Sequence, residues 1–164
     1  MQLLCVVSLF VALVPGPQAA PATAAPKAPA ATAAAAKAGR TIQLTGGDDM
    51  KFNLTSIDAK PGETIRVVLK SIGTIPKMAM GHNFVVLKLG TDVTEFIKAS
   101  MNAVATEYVP ADLKAQVLAA TKLAGPTESV EVTFKVPAKA GSYPFMCTFP
   151  GHYAAGMKGM LVVK

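Results

Sequence analysis

The chain is short of most residues that carry chemistry. Its 164 residues include no tryptophan, two histidines and two cysteines. Two cysteines exclude both a disulfide-stapled small domain and a multi-cysteine zinc site. Charged residues make up only 16% against 51% hydrophobic, which excludes a disordered polyelectrolyte. No apolar run is long enough to span a bilayer as a mature helix. The length allows one ordinary domain and little more. The hydrophobic share also overstates the core, because many of those residues are alanines in one biased segment near the N-terminus.

What is present begins with an address. Residues 3–14 read LLCVVSLFVALV, the length of a secretory h-region, followed by Pro15-Gly16-Pro17 and the small residues Ala19 and Ala20. No Lys or Arg precedes the run. A buried helix of the domain is the alternative, and a Pro-Gly-Pro ending at the extreme N-terminus argues against it. Residues 1–19 are therefore expected to be a signal peptide. Its removal takes Cys5 away and leaves Cys147 as the single cysteine. Thirteen of residues 19–39 are alanine, and prolines at 21, 26 and 29 interrupt helix. With no large apolar side chain to bury, residues 20–39 read as a disordered Ala/Pro-rich tether to a domain spanning 40–164. All sixteen basic residues follow position 20, so the formal charge of +6 stays with the mature chain.

The domain reads mostly as strands. Val130, Val132, Phe134 and Val136 alternate with Ser129, Glu131, Thr133 and Lys135, the period of a half-buried strand. Ile65, Val67 and Leu69 alternate with Thr64, Arg66 and Lys70 in the same way. Shorter strands are expected at Ile42/Leu44 and at Phe52/Leu54, around Gly46-Gly47. A denser apolar run covers residues 83–89, and residues 160–163 close the chain. Turn signals such as Lys60-Pro61-Gly62, Gly90, Gly125-Pro126 and Ala140-Gly141 separate these runs. The pattern points to an all-β, Greek-key β-sandwich. One segment departs from it. Val93, Phe96, Ile97, Ser100, Met101 and Val104 follow helical spacing behind a capping-box-like Asp92 and Glu95. One inserted helix is expected over 93–104. Residues 111–123 begin like a helical turn, and 116–123 suit either state.

The chemistry concentrates in two short motifs. One is Cys147-Thr-Phe-Pro-Gly-His152, with Met157 beyond. The other is Met80-Gly81-His82-Asn83. Both histidines and the single mature cysteine lie in them. Each taken alone is more often a structural residue. Together, one thiolate, two imidazoles and one thioether form the donor set of a blue-copper site, with His2Cys in the plane and a weak axial Met. Cys147 can end a strand while His152 and Met157 sit on the loop that follows. His82 must then come from a neighbouring strand. Asn83 is placed to bridge the two motifs by side-chain hydrogen bonds. Thr148 and Phe149 are placed to shape a dry pocket around the sulfur. The Met78 and Met80 pair suits loop surface better than copper loading.

These motifs resemble the azurins, bacterial type I copper proteins of the cupredoxin family. The similarity runs from about residue 41 to 164. It includes Asp49-Met50-Lys51-Phe52-Asn53, Thr121-Lys-Leu and the final strand. The resemblance implies His82, Cys147 and His152 as equatorial copper ligands and Met157 as axial ligand. It also implies the Gly81 backbone carbonyl as a second, distant axial contact, and Asn83 as the tie between ligand loops. It places His152 at the surface within an apolar electron-transfer patch that includes Met50, Met80, Phe149, Pro150 and Ala154. Three features depart from azurins. The start of the fold has no disulfide. Four residues separate His152 from Met157 instead of three, a spacing shared with plastocyanins and auracyanins. Phe84 stands where a core tryptophan is usual.

The expected function is a soluble, monomeric carrier of single electrons, cycling Cu(II)/Cu(I) in the periplasm. Its partners would be transient redox proteins such as a cytochrome, a reductase or an oxidase. Scattered basic residues and secretion argue against nucleic acid as a partner, and stable membrane insertion of the mature domain is not expected. A copper-storage or copper-delivery protein is the alternative that uses the same ligands. An enzyme built on Cys147 and His152 lacks a third orienting residue, so no catalytic role is expected.

Overall fold

The computed structural model describes residues 39–164. The expected signal peptide and nearly all of the tether lie outside the described residues. Among the described residues, eight strands form two mixed sheets. The first has the order β1 (Arg40–Gly46), β3 (Thr64–Ser71), β6 (Ser129–Lys135). The second has the order β2 (Ser56–Ala59), β8 (Lys158–Val163), β7 (Gly141–Met146), β4 (Val85–Leu87), β5 (Val117–Ala120). The pairs β1–β3 and β2–β8 are parallel and the others antiparallel.

Alternation explains the sandwich. Ile65, Val67 and Leu69 of β3 are buried with Ile42 and Leu44 of β1, and Ile57, Phe145 and Leu161 come from the other sheet into the same cluster. Strands β1, β2, β3 and β6 keep a wetter second face, as period-2 patterning requires. The second sheet carries a further apolar cluster. Val85 and Leu87 of β4 and Met146 of β7 are buried with Phe96, and Val93, Ile97, Val109, Leu113, Val117 and Ala120 pack on them. Phe96 belongs to helix α2 (Val93–Ser100), which therefore covers this sheet. With both faces of β4 covered, its three residues are all buried, which is why the sequence there is a continuous apolar run.

Several expectations change in detail. The strand expected at Phe52/Leu54 does not form: Phe52 makes one isolated bridge to Gly46, and Leu54 is 36% exposed. The Asn53 side chain accepts from the Thr45 N–H at 2.7 Å, replacing a ladder bond with a local one. The run over 83–89 forms a ladder only at Val85–Leu87, with an irregularity between Val86 and Leu87. The helix expected over 93–104 ends at Ser100, whose hydroxyl donates to the Phe96 carbonyl. A separate 3₁₀ turn, Val104–Thr106, follows. The ambiguous stretch resolves into a 3₁₀ turn, Ala111–Gln116, and then β5. Strand β2, reading SIDA, and the one-turn helices α1 (Lys77–Met80) and α3 (His152–Ala155) had no clear pattern in the sequence.

Candidate metal centre

The site is built at the ends of β7 and β4. Cys147 follows the last residue of β7, and the chain then folds back on itself. The Cys147 N–H donates to the Met157 carbonyl at 3.0 Å, and the Met157 N–H donates to the His152 carbonyl at 2.9 Å. The reversal needs left-handed backbone on both sides of α3: Gly151 has φ 85° and Gly156 has φ 100°, conformations that glycine adopts without a Cβ clash. His82 sits just before β4 in a two-bond bridge. Its N–H donates to Ala124 at 2.9 Å, and the Ala124 N–H donates back at 2.7 Å.

These constraints bring the two motifs together. The ligand atoms of His82, Cys147 and His152 all lie within 4.8 Å of one another, and all three residues are buried. His152 Nδ1 is 3.4 Å from Cys147 Sγ, and the two imidazole rings are 5.0 Å apart. Met157 is fully buried on the same loop. The Gly81 carbonyl oxygen is 4.0 Å from Cys147 Sγ.

Asn83 ties the halves. Its Oδ1 accepts from the Thr148 N–H at 2.9 Å, while its Nδ2 lies 2.9 Å from the Thr148 hydroxyl and donates to the Glu107 carbonyl at 3.0 Å. Glu107 was not singled out in the sequence. It is a left-handed residue with φ 55°, and its carboxylate also accepts from the Leu123 N–H at 3.0 Å. Glu107 thus holds the loop after α2 to the His82 segment and to the stretch that pairs with it at Ala124, and nothing in its local sequence signals that. Tyr108 was likewise missed. It packs edge-on to Phe149 at 4.9 Å, and Phe149 packs on the His152 ring at 4.7 Å.

The residues of the expected patch divide by exposure. His152 is 2% exposed and Phe149 8%, so both lie beneath the surface. Pro150 and Ala154 are exposed, and Met50 and Met80 are half-buried. The exposed apolar residues Pro150 and Ala154 thus each stand two positions along the chain from the buried imidazole.

Burial sets the electrostatics. It pushes the Cys147 thiol up to about 11, against the peptide N–H groups of Asn83 and Phe149, which favour the thiolate. Burial likewise lowers His152 to about 4, helped by neighbouring His82. It lowers His82 too, opposed by Asp48 and Asp49. Both imidazoles are therefore neutral near pH 7, with lone pairs free to coordinate. Both ring nitrogens of His82 are buried without a hydrogen-bond partner, a costly state for a polar group. A cation at this point would satisfy a lone pair there. Two neutral imidazoles, one thiol and a nearby thioether fit copper better than the oxygen-seeking divalent metals.

A family model described as copper binding proteins of the plastocyanin/azurin family matches residues 39–164. The chain belongs to this family. Among its plastocyanin/azurin relatives, auracyanin-A of Chloroflexus aurantiacus is 36% identical over 127 residues, covering 76% of this chain and 74% of that one. Azurin of Pseudomonas denitrificans is 38% identical over 127 residues, covering 76% of this chain and 98% of the azurin. The crystal structure of dithionite-reduced auracyanin from Roseiflexus castenholzii superposes with a TM-score of 0.68 at 36% identity, covering 78% of this chain and 99% of that one. The fold is accordingly the cupredoxin β-sandwich. Membership makes copper the cofactor and implies electron transfer.

Proposed function

We propose that the protein is a one-electron carrier working in the periplasm. His82, Cys147 Sγ and His152 would hold its copper, with the Met157 thioether and the Gly81 carbonyl as weaker, more distant donors. The clustering of the three buried ligand atoms within 4.8 Å carries this reading. When bound, copper supplies the Cu(II)/Cu(I) couple. The chain's part is to hold the donors still. Backbone bonds close the 147–157 loop, and Asn83 fixes that loop to the His82 strand, so the donor set changes little between oxidation states. Phe149 and the covering loop keep water from the sulfur. Cys147 gives up its proton to solvent when it becomes a ligand.

The secretory-type h-region supports export, and no helix among the described residues is long and apolar enough to cross a membrane. The exposed apolar residues Pro150 and Ala154, each two positions from His152, support brief docking of a cytochrome, reductase or oxidase at that face. A visible and EPR spectrum of the mature protein with Cu(II) tests the site. An intense thiolate-to-copper band that disappears in Cys147→Ser is expected. A full band surviving in that variant would overturn the assignment. Repeated reduction and reoxidation in the presence of a chelator separates carrier from delivery protein. The carrier keeps its copper through the cycles, whereas a delivery protein loses it.

A further inference from the structure

Strand β1 ends against the centre on a glycine. A glycine inside a strand weakens the ladder and often marks a place where something approaches closely. Gly46 has no left-handed φ to explain it, and its surroundings supply a different reason. A Cβ there would stand 2.6 Å from Met157 Cε, and 3.2 and 3.3 Å from Cγ and Cδ2 of His82. Among the described glycines, this is the one whose missing side chain faces two of the proposed ligands.

The backbone at Gly46 is also held in place. It pairs with Ser71 in the β1–β3 register and bridges to Phe52. Its carbonyl accepts from the Ile72 N–H at 2.8 Å. Two residues on, the Asp48 carboxylate accepts from both the N–H and the hydroxyl of Thr74 at 2.9 Å, fixing the turn that follows. Met157 is fully buried, so its thioether methyl has packed neighbours on every side.

We propose that Gly46 is a positioning residue for the copper site: its bare backbone is the wall that sets where the Met157 thioether and the His82 ring rest. A methyl group added at this wall displaces the Met157 methyl and, through it, the sulfur bonded to it. The donor strength of that thioether toward copper would then change, and with it the balance between Cu(II) and Cu(I). The inference rests on Met157 and His82 being ligands.

The test compares wild type, Gly46→Ala, Met157→Ala and the double variant, each loaded with Cu(II). Gly46→Ala is expected to change the relative intensities of the visible bands. It should also shift the Cu(II)/Cu(I) equilibrium at least threefold, or about 28 mV for a one-electron couple. In the Met157→Ala background the displaced methyl is gone, and most of that shift should vanish. An unchanged spectrum and potential in Gly46→Ala, or an equal shift in both backgrounds, would overturn the wall while a blue wild type left the copper site standing. A wild type without the band would sink the site and the proposal together. A readout without metal completes the test. The metal-free wild type should show a nuclear Overhauser contact between the Gly46 Hα protons and the Met157 methyl. Its absence overturns the proposal even if Gly46→Ala does not fold.

Discussion

Asn83 shows how much one side chain can carry here. Its amide satisfies the Thr148 N–H, the Thr148 hydroxyl and the Glu107 carbonyl, with Asn83 and Thr148 both buried. Truncation to Ala leaves these groups unpaired, at about 1–3 kcal/mol for each that stays buried and unsatisfied. Asn83→Ala should therefore lower the urea midpoint markedly and loosen the ligand loop, seen as a broadened copper EPR spectrum. Acid and base both destabilise the metal-free centre, through different groups. His82 and His152 fall below their ordinary 6.5, His152 to about 4, chiefly because burial disfavours the imidazolium. The unfolded chain takes up these protons as the pH drops through 6.5, while folded His152 does so only near 4. Stability of the metal-free protein should fall across that window. Cys147 stays protonated in the fold to about 11 but ionises near 9.0 when unfolded, so stability should fall again between those values. Urea midpoints of metal-free protein against pH should show a plateau with losses on both sides. A midpoint that rose on acidification from 6.5 to 4 would contradict neutral buried imidazoles.

At the scale of elements, α2 is the piece with separable contributions. Asp92 caps it by accepting from the Glu95 N–H at 3.0 Å, and Phe96 seats it on β4, β5 and β7. Asp92→Ala should cost about 1 kcal/mol, the usual worth of such a cap. Phe96→Ala should cost about 3–5 kcal/mol through the lost burial and the cavity left behind. Both are read from denaturant midpoints of the copper-loaded protein, and neither should alter the blue band, since Phe96 packs in a different cluster from the one that holds Cys147 and Met157. The helical spacing at Val93, Phe96, Ile97 and Ser100 made this element legible. Met101 and Val104 fit the same spacing yet are 49% and 57% exposed, because the helix ends before them. Periodicity reports a repeat in the chain, and the end of the repeat was set by the Ser100 hydroxyl and the turn after it. Strand β2 was invisible for the converse reason. SIDA has too little apolar character to announce a strand, and it forms one because β8 offers a parallel edge from Ser56↔Met160 to Ala59↔Val163.

For the whole molecule, net charge bears on how a reaction partner approaches the centre. Lys51 donates to the Ala155 carbonyl, and Lys158 lies 4.3 Å above the Tyr153 ring, so two lysines flank α3 beside His152. With a formal charge of +6, the chain should react faster with an anionic small-molecule oxidant than with a cationic one of equal driving force. Added salt should slow the first and speed the second, because exposed charges are screened beyond about 8 Å at physiological ionic strength. Lys51→Glu with Lys158→Glu should flatten the salt dependence of the anionic reaction in stopped-flow measurements. An unchanged slope would remove these two lysines from the approach path.

The sequence alone determined the donor chemistry and the architecture. Residue types and short spacings fix both: Cys147, His152 and Met157 lie within eleven residues, and alternation at β3 and β6 follows from a strand's two faces. The tertiary structure alone decided what converges from afar. Glu107 reaches Asn83, Tyr108 backs Phe149, and Gly46 abuts Met157, all across sequence separations with no local repeat to mark them. Such contacts exist because two sheets and a covering helix share one interior. Their geometry belongs to the packing, and no single stretch of chain encodes it.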